Sequence, residues 1–303
     1  MLRVTSFFVF LLVIFGFLGT SSVLAQGKSQ GATPQYGGTY RRPLGNNPST
    51  LDPAIITDTY GHTVAQQIFD GLVQYDSSLT IIPALAQTWK GSRDGLSWTF
   101  FLRKGVKFHN GREVVADDVI YSFTRILDPK LNSKAAEIFA NVKGAREFSQ
   151  GRAKAVSGFS ALDPYTLQIE LVQASGPFVA GLAIGYAKIV PRETVESLGT
   201  DFGNRPVGTG PFKFVRWKRG EVIQLEANPD YYAGRPFLDR LEYHIFAGQQ
   251  ADRMYLRFSQ QELDDAPVPT PELETVRDGN RFQFVSRPIL GVRFFGFDTT
   301  KEP

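Results

Sequence analysis

The sequence predicts a mixed α/β fold rich in strands. Three observations carry this: period-two alternation of apolar side chains is the commonest regular pattern, two segments carry helical spacing instead, and turn pairs of Gly, Pro, Asn and Asp fall between them. In chain order, a helix is predicted over 59–70, where Val64, Ile68 and Leu72 share a face, Asp58 is the N-cap and Gly71 the C-terminal stop. Trp98, Phe100 and Leu102 then face one way and Thr99, Phe101 and Arg103 the other, as in a strand. A second helix covers 117–127, with Val119, Phe123 and Ile126/Leu127 on one stripe and Pro129 beyond its end. Tyr165, Leu167, Ile169 and Leu171 alternate with Thr166, Gln168 and Glu170. Further strands are predicted at 222–227, 240–246, 281–285 and 291–297. Asp94-Gly95, Asn110-Gly111, Asp163-Pro164 and Asn228-Pro229 mark turns.

The 303 residues contain 33 Lys+Arg against 30 Asp+Glu, 42% hydrophobic and 13% aromatic residues, and no cysteine. That aromatic content belongs to a globular chain rather than a disordered one. Without cysteine there is no disulfide framework, no thiolate catalysis and no cysteine metal site. The small positive excess is scattered, with no run of five or more Lys/Arg, so the electrostatic footprint of a nucleic-acid binder is missing and no nucleic-acid partner is expected.

Arg3, the apolar run Phe7 to Leu18 and the small residues Val23 and Ala25 before Gln26 have the tripartite layout of a secretory signal. A membrane anchor is the competing reading, but it needs about 20 apolar residues. Here Gly16, Gly19, Thr20, Ser21 and Ser22 interrupt the run. Residues 1–25 are therefore expected to be a cleaved signal peptide, 26–35 a flexible leader, and the mature protein exported, with no cysteine available for lipidation.

Little in the sequence advertises catalysis. His62, His109 and His244 are isolated, with no HExxH, so no metal and no cofactor are expected. There is no GxSxG elbow and no GxxxxGK[ST] loop. Gly208-Thr209-Gly210-Pro211 reads as a structural turn, because Pro211 and the alternation Phe212, Phe214 open a strand rather than a helix. A secreted carbohydrate-active hydrolase would need a carboxylate pair. The adjacent pairs Asp117-Asp118 and Asp264-Asp265 have structural explanations, at a helix start and in a polar turn. His109, beside Asn110-Gly111, reads as a surface turn residue.

Several segments taken in order carry a resemblance. They are Gly38-Thr39-Tyr40, Asn46-Asn47-Pro48, Leu51-Asp52-Pro53, Ile68-Phe69-Asp70-Gly71-Leu72, Pro83-Ala84-Leu85-Ala86 with Trp89, and Asp94 to Phe100. Leu102-Arg103-Lys104-Gly105-Val106-Lys107-Phe108-His109-Asn110-Gly111, Val207-Gly208-Thr209-Gly210-Pro211-Phe212 and Asn228-Pro229-Asp230-Tyr231-Tyr232 follow. Each is weak alone, but their order and spacing over 36–300 are specific. The chain resembles the family 5 solute-binding proteins of bacterial ABC importers, the oligopeptide-, dipeptide- and nickel-binding group.

The resemblance implies a periplasmic-binding-protein-like α/β fold of two lobes, a small subdomain being inserted in the first. On that pattern 36–280 is the first lobe with its insertion at about 54–185. Residues 281–303 are a crossover strand and the start of a second lobe, most of which would lie beyond Pro303. It further implies a non-enzymatic, monomeric periplasmic receptor that captures peptides or a similar small solute and delivers them to ABC permease subunits. Relatives bind peptide as an added strand and hold its amino terminus with a second-lobe aspartate. First-lobe candidates for ligand contact are Asn46, Asn47, Tyr60 and His62. Turn chemistry before Pro48 explains the asparagines equally well, and plain burial or exposure competes for Tyr60 and His62. The family pattern has Thr or Ser where this chain has Val115, so Asp117 or Asp118 must serve the first turn of the helix it precedes.

Overall fold

A computed structural model describes residues 34–248, 250–279 and 281–286. Its elements run β1 (Thr39–Leu44), α1 (Thr59–Ile68), β2 (Val73–Tyr75), β3 (Ile81–Pro83), β4 (Ala86–Gly91), β5 (Ser97–Leu102), α2 (Ala116–Leu127), α3 (Ala145–Ser149), β6 (Phe159–Asp163) and β7 (Thr166–Glu170). After these come α4 (Phe178–Leu182), α5 (Arg192–Leu198), β8 (Phe212–Lys218), β9 (Val222–Ala227), β10 (Arg240–Ile245), α6 (Ala251–Ser259) and α7 (Leu273–Asp278). The predicted signal segment 1–25, most of the leader 26–35, and the strand at 291–297 lie outside the described residues.

Two four-stranded sheets organise the chain. The first has the order β1-β10-β9-β8; β1 runs parallel to β10, with Tyr40 opposite Leu241, and the remaining pairs are antiparallel. Ile223, Leu225, Leu241 and Tyr243 from this sheet share a core with Val64, Ala65 and Ile68 of α1. The second sheet, β4-β5-β7-β6, is antiparallel throughout. Phe100, Leu102, Leu167 and Ile169 alternate onto its inner face against Val119, Phe123 and Ile126 of α2. There Phe123 and Phe139 approach to 4.6 Å between ring centroids, and Phe159 meets Phe139 edge-on at 6.1 Å. Val207 packs against both cores.

Local boundaries depart from the sequence reading at three places. The helix begins as expected, with Asp58 accepting from the Gly61 N–H at 2.7 Å. It stops at Ile68, two residues early, because Phe69 turns to an extended backbone while its N–H still bonds Ala65 O. Gly71 is therefore not a helix stop. It bridges to Lys188, and a Cβ there would stand 2.9 Å from Ala187 O, which only glycine permits. Residues 281–286 form no strand. At α2, Val115 offers no side-chain cap, and Asp118 closes the first turn by accepting the Val115 N–H at 2.9 Å. Arg112 grips the same carboxylate through both terminal nitrogens, at 2.9 and 2.6 Å.

Candidate functional site

The polar backbone of a parallel edge strand alternates between its neighbour and open space. Because the Phe246 N–H donates to Leu44 O, the even residues of β1 face β10 and the odd ones face outward. Arg41 uses its outward groups on one residue: its N–H donates to Asp264 Oδ2 at 2.6 Å, and its carbonyl accepts the Asp264 N–H at 2.7 Å. The 264 segment then departs as Ala266 and Pro267. Beyond it, Pro43 and Gly45 border a cavity of about 650 Å³, walled also by Thr59 and Tyr60 of α1, by Ala251 and Met254 of α6, and by Arg42 and Asp265. A second cavity of about 600 Å³ lies against Tyr40, Tyr255 and Phe258 and shares Asp265 and Ala266 with the first as a common wall.

The wall is tied to β1 by two successive ion pairs, Arg41–Asp264 at 3.7 Å and Arg42–Asp265 at 3.1 Å. Burial pushes the Asp265 carboxyl up, against the pull of Arg42 and of the Tyr40 hydroxyl. Arg42 Nε and Asp265 Oδ1 are buried without a hydrogen-bond partner among the described residues. Behind this wall Phe246, Met254 and Leu263 make a small cluster of their own. The site thus combines two outward backbone groups without a backbone partner among the described residues, the Pro43 carbonyl and the Gly45 N–H, with a phenol, an ion pair and an apolar floor. Such a surface suits an extended chain bearing amide groups.

Of the four site residues expected from the sequence, only Tyr60 lines this cavity. Asn47 is used internally: its Oδ1 accepts the Gly220 N–H at 2.9 Å, pinning the β8–β9 turn, while exposed Asn46 accepts the Asn47 N–H through its own side chain. His62 points to the other side of α1, its ring meeting Tyr186 edge-on at 4.6 Å with Gly185 close against it. Burial lowers its pKa and the nearby Lys188 adds to this, although Asp58 pulls the other way. Arg42, Met254 and Asp265 were not singled out as ligand contacts. The signal that could have found them is the match of Arg41-Arg42 with Asp264-Asp265, two dibasic and diacidic pairs far apart in sequence.

His109 is not a surface turn residue. Its Nδ1 accepts the Gly208 N–H at 3.3 Å, its Nε2 donates to Gly210 O at 3.0 Å, and its own N–H donates to Gly208 O at 2.7 Å. This fixes the neutral Nε2–H tautomer. Burial holds the ring's pKa down at about 4, against the pull of the Gly210 carbonyl. Three of the four carboxylates in the pairs raised as a hydrolase alternative are committed elsewhere, Asp118 to Arg112 and α2, Asp264 and Asp265 to the arginines of β1. Among the described residues no group of three or more His, Asp or Glu could hold a metal ion, and no helix is long and apolar enough to cross a membrane.

Comparison with known proteins places these features in a family. Residues 80–303 match the model of bacterial extracellular solute-binding proteins, family 5 middle. The chain is 33% identical over 281 residues to heme-binding protein A of Haemophilus influenzae, covering 88% of this chain and 49% of that protein. It is 31% identical over 274 residues to di/tripeptide-binding protein 2 of Pseudomonas aeruginosa, covering 84% and 50%. Among solved structures, the periplasmic binding protein DppA of Helicobacter pylori in complex with the peptide STSA superposes with a TM-score of 0.70 at 28% identity, covering 82% of this chain and 50% of that one. An oligopeptide-binding protein of Borrelia burgdorferi gives a TM-score of 0.73 at 29% identity, covering 80% and 50%. The chain spans about half the length of the curated relatives it matches, and by the family match and these identities it belongs to family 5 of the bacterial extracellular solute-binding proteins.

Proposed function

We propose that this chain supplies the first-lobe half of a periplasmic receptor that captures peptides for an ABC importer, delivering them to permease subunits in the inner membrane. The observation that carries the reading is the outward edge at the end of β1, where the Pro43 carbonyl and the Gly45 N–H have no backbone partner among the described residues and border the cavity beside Tyr60. A peptide laid there would extend the β1-β10-β9-β8 sheet by one strand. Relatives named for di/tripeptides, and a peptide-bound neighbour of the same fold, support peptide as the ligand class. Tyr60 is kept as a ligand contact; Arg42, Met254 and Asp265 join it, while Asn46, Asn47 and His62 serve the fold.

The same reading takes residues 1–25 as an export signal removed before Gln26, and the receptor as a monomer. It takes the second sheet and its helices as the insertion in the first lobe. Packing supports drawing that insertion near Leu72 and Ile189 rather than at 54 and 185, since α1 shares its core with the first sheet.

Calorimetric titration of the purified chain with tri-alanine and with its N-methylated analogue tests strand addition directly. A hydrogen bond contributes about 0.5–1.5 kcal/mol, so removing one ligand N–H should weaken binding roughly 2- to 12-fold. Equal affinity for both peptides, or no heat with any member of a tri- to pentapeptide pool at millimolar concentration, overturns the reading.

A further inference from the structure

Four of the sequence motifs that strand addition leaves unused converge on one buried point. Asp70, 4% exposed, follows α1 directly, and Lys188, 8% exposed, comes from the segment leading into α5. The Asp70 carboxylate accepts the Thr209 hydroxyl at 3.0 Å and the Tyr231 hydroxyl at 3.3 Å, while the Asp70 N–H donates to Thr209 Oγ1 at 3.2 Å. Gly210 closes the same knot: its N–H donates to Ile68 O at 2.8 Å, and its carbonyl accepts from His109 and, at 3.1 Å, from Asn228 Nδ2. The approach is close enough that a Cβ on Gly208 would lie 2.1 Å from Ile68 O. Burial raises the pKa of the Asp70 carboxyl and lowers that of the Lys188 amine, and each group's charge opposes the shift of the other.

This hub stands at one end of α1, and the cavity residues Thr59 and Tyr60 stand at the other, about 15 Å away along ten residues of helix. A second strut runs beside the helix. Gly71 bridges to Lys188, and the Ile189 N–H donates to Asp70 O at 3.0 Å; four residues earlier, Gly185 and Tyr186 press on His62, two residues from Tyr60. The segment 185–189 thus touches both ends of α1, the Asp70 backbone at one and the His62 ring near the other.

We infer that Asp70, its carboxylate held by Thr209 and Tyr231 and its backbone tied to the Lys188–Ile189 segment, is a positioning residue that sets where α1 presents Tyr60 to the cavity. Its consequence for ligand capture rests on the reading proposed above, but the placement of α1 does not, and the experiment reads that placement without ligand. Because the chain has no cysteine, T59C and A251C, on the α1 and α6 walls of the cavity, give a unique pair for spin labels, and their separation is measured by pulsed electron resonance.

Introducing D70N should move or broaden that separation by about 2 Å, the scale of a helix shift at a packed interface. The double variant D70N/K188M, which removes both buried titratable groups, should bring it back towards the parent distribution. If D70N does not fold, T209V and Y231F each delete one hydroxyl donor to Asp70, and each should displace the label pair in the same sense. A distance distribution unchanged from the parent in every folded variant, with only the melting temperature lowered, would show that the hub contributes stability alone and overturn the inference. Calorimetric titration of the same variants without the cysteines or labels, with tri-alanine, tests the binding reading separately: an unshifted helix with normal peptide binding refutes the positioning role, and a shifted helix in a chain that never binds peptide refutes only the peptide.

Discussion

His109 stands next to Asn110-Gly111, a pair that locally encodes an exposed turn, yet its ring is enclosed by the Gly208–Gly210 loop some hundred residues on. Sequence neighbours report on backbone geometry, and nothing local to His109 says what will be folded over it. The consequence is a pH dependence. The folded pKa is held near 4 by burial, against an ordinary value of 6.5, so between these limits the unfolded chain carries a proton that the folded chain excludes. Stability therefore rises with pH across this window and falls as the solution is acidified from 6.5 towards 4, by up to about 1.4 kcal/mol per pH unit. His109→Gln keeps a donor and an acceptor but cannot titrate. Urea unfolding at several pH values should show the unsubstituted protein losing roughly 1–3 kcal/mol more than H109Q over the window. Parallel stability curves would mean that the ring is not the titrating group. Asp58, by contrast, was legible as a cap. Although burial alone would raise its pKa, hydrogen bonds from Ser49 and the Gly61 N–H outweigh that and hold the carboxyl below its usual range.

At the scale of elements, the longer periodic runs declared themselves and the junctions did not. Alternation located β5, β7, β9 and β10, because each buries one face against a helix or a loop. The end of α1 is not legible in the sequence, since a glycine such as Gly71 serves either as a helix terminator or as a place of close backbone approach, and here it does the second. At α2 the missing cap was visible, and the structure shows what replaces it. Val115 has an extended backbone, with φ −129° and ψ 168°, the conformation of an N-cap residue, but its side chain can accept nothing. Val115→Thr supplies a hydroxyl to the first turn at nearly constant volume. It should stabilise the protein by about 1 kcal/mol and raise the melting temperature by about 2–4 °C in a chain of this size. A calorimetric scan in which V115T melts with or below the parent would show that Arg112 and Asp118 already satisfy that turn completely.

Over the whole molecule, the contacts that make the site and the hub join residues the sequence separates widely, Arg41 to Asp264 and Asp70 to Thr209. Local patterning cannot see such pairings, which explains why Tyr60 was found through the resemblance and Arg42 and Asp265 only through the fold. The same long-range contacts decide how the two cores share their stability. Val207 packs on both, and the buried hub around Asp70 draws together the loops after α1, β5 and β9 and before β8. Separating the cores would expose Asp70 and Lys188 to water and break the bonds of Asp70 to the Thr209 and Tyr231 hydroxyls, so partial unfolding forfeits the network while keeping little of its benefit. The cores should therefore unfold in one cooperative step. The three tryptophans are placed to test it, since Trp89 and Trp98 pack against the core of the second sheet and Trp217 against that of the first. Trp217→Phe leaves fluorescence that reads only the second core, and the double variant W89F/W98F leaves a probe of the first. Denaturant curves of the two variants, each compared with far-UV circular dichroism of the same sample, should coincide in midpoint. Two separated midpoints within one variant, with tryptophan emission and dichroism parting company, would show that the cores are independent units and that the polar seam between them couples nothing.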